Sequence, residues 1–325
     1  MRKVVFEALG TPADMVKVIE LPDPEPAPGQ VRLRLKIMPI NPADLLRIEG
    51  RYGAEAETLP ATPGAEAYGI VDALGEGVEG VNIGDPVLPL GVGCWADTLI
   101  CDARALIPAP AGVDVEQAAM LKANPATAEA MLTSIADLAP GDWVAQNAAN
   151  SAVGRLVIRF AKEKGLKTVN IVRRADMVEP LKADGADTVI VDEGQDLTAA
   201  IAATGAAPKL ALDAIGGDAT RMLAASLGQG GTIATYGLLS GEEPVIGARE
   251  LVFRGITATG FWLSAWFAQA SGKDVRELYG TLMTRLLAGG FHTEVEARYP
   301  LDRVSEAVAH AAKPGRSGKI LLTAE

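Results

Sequence analysis

The stretch from Trp143 to Arg174 limits the fold more than any other part of the chain. It opens on Trp143-Val144-Ala145, an apolar run just after the turn-forming Pro140-Gly141-Asp142, which suits a buried strand. Small residues follow from Asn147 to Ser151, and then Val153, Leu156, Val157, Phe160 and Ala161 recur at helical spacing. Gly165 stops that helix, and Thr168-Val169-Asn170-Ile171-Val172 reads as a second strand. Strand, loop, helix and parallel strand make a right-handed crossover whose helix N-terminus offers backbone N–H groups to a phosphate.

Only Gly154 survives of a G-x-G-x-x-G loop, and tight turns of this kind also serve purely structural ends. The end of the second strand carries more information. A cofactor with free ribose hydroxyls favours Asp or Glu there, whereas a 2′-phosphate favours cations. The chain has Arg173-Arg174, 19 positions beyond Gly154 (173 − 154). Two guanidiniums can fork onto a phosphate, so the pair points to NADPH; the plainer reading is a solvated basic pair closing a strand.

Further strand endings at Lys209–Asp213, Thr232–Tyr236 and Ile256–Gly260, with helical patterns between most of them, extend the crossover into a doubly wound parallel α/β sheet. Residues 1–116 read differently, as mostly β with frequent Pro and Gly. Val31 to Ile37 alternates strictly, and Tyr68 to Gly84 reads as strand, turn and strand, which suits a partly open barrel. After Trp266 one long helical stretch leads to Arg298–Leu301 and a last strand at Lys319–Leu322. The expected organisation is a first domain over 1–116, a dinucleotide domain over 117–265, and a return of 266–325 to the first.

The 325 residues suit two domains, and the net charge of −11 argues against general nucleic-acid binding. No apolar run is long enough to span a bilayer, so no membrane partner is expected. With two cysteines, Cys94 and Cys101, and no signal peptide, a cytoplasmic, reducing setting is the expectation.

Several motifs now carry a resemblance: Asn41-Pro42-Ala43-Asp44, Gly50-Arg51-Tyr52-Gly53, Leu59-Pro60-Ala61, Asn124-Pro125-Ala126-Thr127-Ala128, Gln146 to Ser151, Val172-Arg173 and Gly260-Phe261-Trp262-Leu263-Ser264. With the domain order, they make the chain resemble the zinc-free medium-chain dehydrogenase/reductase superfamily. Within it the chain is similar to the trans-2-enoyl thioester (enoyl-CoA/enoyl-ACP) reductases of mitochondrial type. The resemblance implies a Rossmann-type sheet beside a split, GroES-like, mostly β domain. It also implies NADPH as cofactor, an acyl thioester of coenzyme A or acyl carrier protein as substrate, and a homodimer.

It further implies that Tyr52 is the proton donor; otherwise Tyr52 is an ordinary loop tyrosine. Asn124 would contact the cofactor, with a helix cap as the rival reading. Asn150, Ser151, Ala152, Val153 and Gly154 match the pyrophosphate loop, although Ala152 replaces a more usual Gly and could crowd that group. Arg173 and Arg174 take the 2′-phosphate. Tyr236, Gly237, Leu238 and Leu239 follow a strand end, where ligands gather in open α/β sheets. Phe261, Trp262, Leu263 and Ser264 would hold the carboxamide through backbone groups; core packing is the alternative for their side chains. Lys319 corresponds to a lysine that contacts NADPH and alone reads as a surface charge. Glu66 reads either as a buried structural carboxylate or as a second polar group, and no role is assigned to it. Ala65 and Ala67 stand where the family often has Asn and Gly.

No metal is expected. The Gly-His-Glu position of zinc members reads Gly64-Ala65-Glu66, Asn41 stands near the first Cys ligand, and His292 and His310 lie far off. Three activities remain open at this point. They are NADPH-dependent reduction of the C2=C3 bond of an enoyl thioester, a zinc-free quinone or enone reduction, and a sensor that keeps the dinucleotide domain without turnover.

Overall fold

The structure is a computed structural model that describes residues 1–53 and 57–324. Two compact units emerge, one formed by Met1–Ala123 with Tyr279–Glu325 and the other by Asn124–Leu278.

The second unit is built on six parallel strands: β1 (Trp143–Gln146), β2 (Lys167–Val172), β3 (Thr188–Val191), β4 (Leu210–Asp213), β5 (Thr232–Thr235) and β6 (Thr257–Gly260). Their spatial order is β3-β2-β1-β4-β5-β6, the doubly wound arrangement of dinucleotide-binding sheets. Leu210 lies beside Val144 and Leu212 beside Gln146, so β1 and β4 are neighbours although the chain leaves them toward opposite edges. That is the switch point of the sheet. Helix α1 (Ala152–Glu163) follows β1 and buries Leu156, Val157, Phe160 and Ala161, the stripe expected from its spacing. Ala145, Val169, Ile171, Ala211 and Ile233 form the core on one side, joined by Ile201 and Leu223.

The first unit holds a seven-stranded sheet. The long strand Gln30–Pro39 pairs antiparallel with Tyr68–Leu74, Thr98–Asp102 and Lys319–Thr323, and the last of these pairs parallel with Val295–Pro300. Val31, Leu33 and Leu35 point into a core shared with Phe6, Met38, Trp95, Val308, Ile320 and Leu322.

Three expectations need correction. The run Tyr68 to Gly84 forms one strand, ending at Leu74, because Gly77, Gly80 and Gly84 adopt left-handed φ values and turn the chain instead. The long helical stretch after Trp266 is two helices, Leu263–Gln269 and Gly272–Leu287. Between them Ser271 donates its amide to Asp274 and accepts the Asp274 amide in return, a reciprocal N-terminal cap. The unit boundaries fall at 123/124 and 278/279 rather than 116/117 and 265/266. Gln117 is fastened to the backbone of Thr293 by two hydrogen bonds, and the phenol of Tyr279 to the carbonyl of Lys122, so these segments stay with the first unit.

Candidate active site

A parallel sheet sends every strand's following loop to the same edge. Asn150 to Gly154 follow β1, Arg173-Arg174 follow β2, Tyr236 to Leu239 follow β5, and Phe261 to Ser264 follow β6, so four of the expected segments share the C-terminal edge. Ser151 caps α1 by accepting the Gly154 amide at 3.1 Å, which leaves the preceding amides of the first turn for an anion. Ala152 and Val153 are the first helical residues and are partly buried. Asn150 is exposed.

The surviving glycine is the one that packing demands. A Cβ on Gly154 would meet the Ala149 carbonyl oxygen at 2.6 Å, so only glycine lets α1 approach the loop this closely. Gly237 is similarly confined, with the Ala214 carbonyl oxygen 2.9 Å from a Cβ there. Leu239 and Ser240 donate their amides to Ala214 and Ile215, which ties the loop after β5 to the turn after β4.

Arg173 and Arg174 are both exposed directly beyond β2. Arg174 is drawn toward Asp176 at 3.3 Å and Met177 at 3.3 Å. Two buried polar atoms at this edge lack partners among the described residues: Tyr236 Oη and Gln146 Oε1. Burial drives the Tyr236 phenol well above its ordinary pKa, so it is a neutral donor, with Ser151 as the nearby group that opposes the shift. Phe261 donates its amide to Thr235 at 2.9 Å, and Trp262 precedes the helix Leu263–Gln269. Phe261 and Leu263 are partly buried, whereas Trp262 and Ser264 are exposed. Asn124 begins the helix Asn124–Ser134 and is partly buried.

The remaining two candidates belong to the first unit. Tyr52 is 38% exposed in the loop after the helix Pro42–Ile48, flanked by Gly50 and Gly53 in left-handed conformation. Lys319 is not a surface charge. It is buried, and its ammonium donates to Asn41 Oδ1 and, at 3.5 Å, to the Ile40 carbonyl. Asn41 Nδ2 donates to Glu66 Oε1, and Glu66 Oε2 accepts the Ala123 amide at 2.8 Å. Lys122 is also buried, with its ammonium on the carbonyls of Ala65 and Gly91. Burial lowers the pKa of both lysines, opposed by the nearby Glu66 and Asp44 carboxyls, and raises Asp44 to about 6. The positions where zinc members carry ligands thus hold an amide, a methyl and a carboxylate inside a network of ammonium groups. Among the described residues no group of three or more His, Cys, Asp or Glu could hold a metal ion.

Sequence reasoning missed Asp213 and Asn147. Asp213 ends β4 fully buried, and Asn147 bonds to it at 2.6 Å. The only available sign was a carboxylate closing an apolar strand before Gly216-Gly217.

Comparison with known proteins agrees with this geometry. Residues 27–111 match the alcohol dehydrogenase GroES-like domain family and residues 152–279 the zinc-binding dehydrogenase family. The mitochondrial enoyl-[acyl-carrier-protein] reductase of Homo sapiens is 36% identical, over 99% of this chain and 88% of that protein. A structure of a provisionally assigned NADPH:quinone reductase from Bacillus thuringiensis has a TM-score of 0.94 at 30% identity, covering 100% of this chain and 99% of that one. A mutant form of enoyl thioester reductase from Candida tropicalis superposes with a TM-score of 0.82 at 25% identity, with 99% of each chain covered. The chain belongs to the medium-chain dehydrogenase/reductase superfamily, as a nicotinamide-dependent oxidoreductase grouped with the mitochondrial enoyl-[acyl-carrier-protein] reductases.

Proposed function

We propose that the chain reduces the C2=C3 double bond of trans-2-enoyl thioesters with NADPH. The cofactor choice is carried by one observation: two exposed arginines, and no carboxylate, occupy residues 173 and 174 directly after β2. The residues present fit the dinucleotide. Ser151 and the first turn of α1 suit the pyrophosphate, and the buried Tyr236 hydroxyl beside Ser151 adds a donor at the same edge. On the second unit, Asn124, Tyr236 to Leu239, and the backbone of Phe261 to Ser264 complete the set. Lys319 now holds Asn41, so its contribution is to keep that part of the first unit in place.

When bound, NADPH supplies hydride to the β-carbon of the enoyl thioester. The charge that collects on the thioester oxygen needs a donor, and the α-carbon needs a proton. Tyr52 Oη is the group we assign to the proton. The donor set around Glu66 and Asn41 suits hydrogen bonding and not a Lewis-acid metal, so polarisation falls to protein hydrogen bonds.

Likeness to proteins named enoyl reductases along nearly the whole chain supports this substrate reading, and the thioester class we propose is that of coenzyme A or acyl carrier protein. A zinc-free quinone or enone reductase is the second reading, favoured by the superposition on the Bacillus thuringiensis protein. Both cysteines are free thiols, in keeping with a reducing compartment such as the cytoplasm. Among the described residues no helix is long and apolar enough to cross a membrane. The assembly we propose is a homodimer formed along β6.

The test is NADPH oxidation with crotonyl-CoA, a long-chain enoyl-CoA and a quinone. The thioesters are expected to turn over and to depend on Tyr52, so that Tyr52→Phe lowers kcat by about 100-fold or more. Faster turnover of the quinone, unaffected by Tyr52→Phe, would favour the second reading.

A further inference from the structure

Asp213 is fully buried at the end of β4, and its carboxylate accepts five hydrogen bonds, all from neutral donors. Oδ1 takes Asn147 Nδ2 at 2.6 Å, the Ile215 amide at 3.0 Å and the Gly216 amide at 3.2 Å. Oδ2 takes Thr220 Oγ1 at 2.6 Å and Thr235 Oγ1 at 3.2 Å. Asn147 answers through Oδ1, which accepts the Ala214 amide at 2.8 Å. The two carboxyl oxygens supply the acceptors on which three N–H donors and two hydroxyls converge.

The location gives these bonds their meaning. The backbone ladder between β1 and β4 ends where the Asn147 amide reaches the Leu212 carbonyl, and beyond it the two loops part company at the switch point. From there on, the reciprocal Asn147–Asp213 pair joins them. One of these loops runs on to Asn150 and Ser151, and the other is the Gly216-Gly217 turn. The bonds to Thr220 and Thr235 stay within β4, β5 and the helix Gly217–Ser226. Only the Asn147 bond crosses toward the phosphate loop.

We propose that Asp213, acting through Asn147, is a positioning residue for dinucleotide binding: it fixes the loop after β1 against the turn after β4 before the cofactor arrives. This rests on reading the C-terminal sheet edge as the NADPH site. Holding the loop in its binding geometry removes ordering that the ligand would otherwise have to impose, which raises affinity without a direct contact.

The test uses the full-length chain, with Kd for NADPH and for NADH from fluorescence titration and Tm from thermal unfolding. Asn147→Ala and Asp213→Asn are expected to raise the Kd for NADPH by about tenfold or more. Thr220→Val, which loosens the same carboxylate on its other side, is expected to lower Tm and leave Kd unchanged. Asn147→Ala carries the test by itself should Asp213→Asn fail to fold. A fall in Tm for Asn147→Ala with Kd unchanged would overturn the positioning role while leaving the NADPH reading intact. A wild-type chain that bound neither dinucleotide would overturn the reading and the proposal together.

Discussion

Asn41 donates through Nδ2 to Glu66 at 2.8 Å, and both side chains are buried in the first unit. The pair stands between two further contacts: Lys319 donates to the Asn41 oxygen, and the other Glu66 oxygen accepts the Ala123 amide. Glu66→Leu removes the carboxylate, strands the Asn41 and Ala123 donors, and leaves the buried Lys319 ammonium less balanced. The expected loss of stability in urea unfolding is about 3 kcal/mol. A loss below about 0.5 kcal/mol would show that the network carries no structural weight.

The two arginines beyond β2 are not equivalent. Arg174 is already drawn to Asp176, whereas no bond or ion pair of Arg173 is found among the described residues. Arg173→Ala is therefore expected to weaken NADPH binding more than Arg174→Ala, and the double change to Asp by about 100-fold or more. NADH affinity should move far less in each case. Equal losses for both dinucleotides would remove the 2′-phosphate from the account.

A pH dependence is expected at Glu296. Its carboxylate accepts the Ser317 and Gly318 amides and the Ser317 hydroxyl, and faces His310 Nε2 at 2.9 Å. The Ser317 amide leads the causes that hold the pKa down at about 2, from an ordinary 4.5. Because the folded value lies below the unfolded one, the stabilisation is complete above about pH 4.5 and is lost as the pH falls toward 2. Glu296→Gln should flatten the stability profile in that window. Parallel acid-unfolding curves for the two chains would refute the assignment.

The edge strand β6 leaves Thr257, Ala258, Thr259 and Gly260 exposed, and the preceding helix exposes Val252 at 67% and Phe253 at 77%. An open strand edge beside bare apolar side chains favours pairing with a second copy. Light scattering should report a dimer for the native chain and a monomer for a Val252→Asp, Phe253→Asp double variant. A native monomer at micromolar concentration would remove the homodimer.

Much of this arrangement can be read from local patterns. The stripe Leu156, Val157, Phe160 and Ala161 and the alternation Val31, Leu33, Leu35 declare a helix and a strand because each element buries one face. The strand endings at Asp213, Thr235 and Gly260 are legible for the same reason, and parallel pairing then brings the following loops to one edge. What stayed hidden depends on partners distant in sequence. Asn147 and Asp213 are 66 residues apart, Gln117 and Thr293 are 176 apart, and no periodicity announces either pair. Lys319 looked like a solvated charge because its partner, Asn41, lies 278 residues away. The break between the helices Leu263–Gln269 and Gly272–Leu287 was visible as Ser271 and Asp274 at capping distance, and an apolar pattern alone runs over it.

The central claim is that hydride goes to the β-carbon of an enoyl thioester and a proton to the α-carbon. Its most direct test is reduction of crotonyl-CoA by NADPH deuterated at the transferable C4 position, in ordinary water, with the product analysed by mass spectrometry and NMR. The account predicts butyryl-CoA with one deuterium on C3 and none on C2. Deuterium on C2, or an intact double bond after NADPH has been consumed, would contradict it.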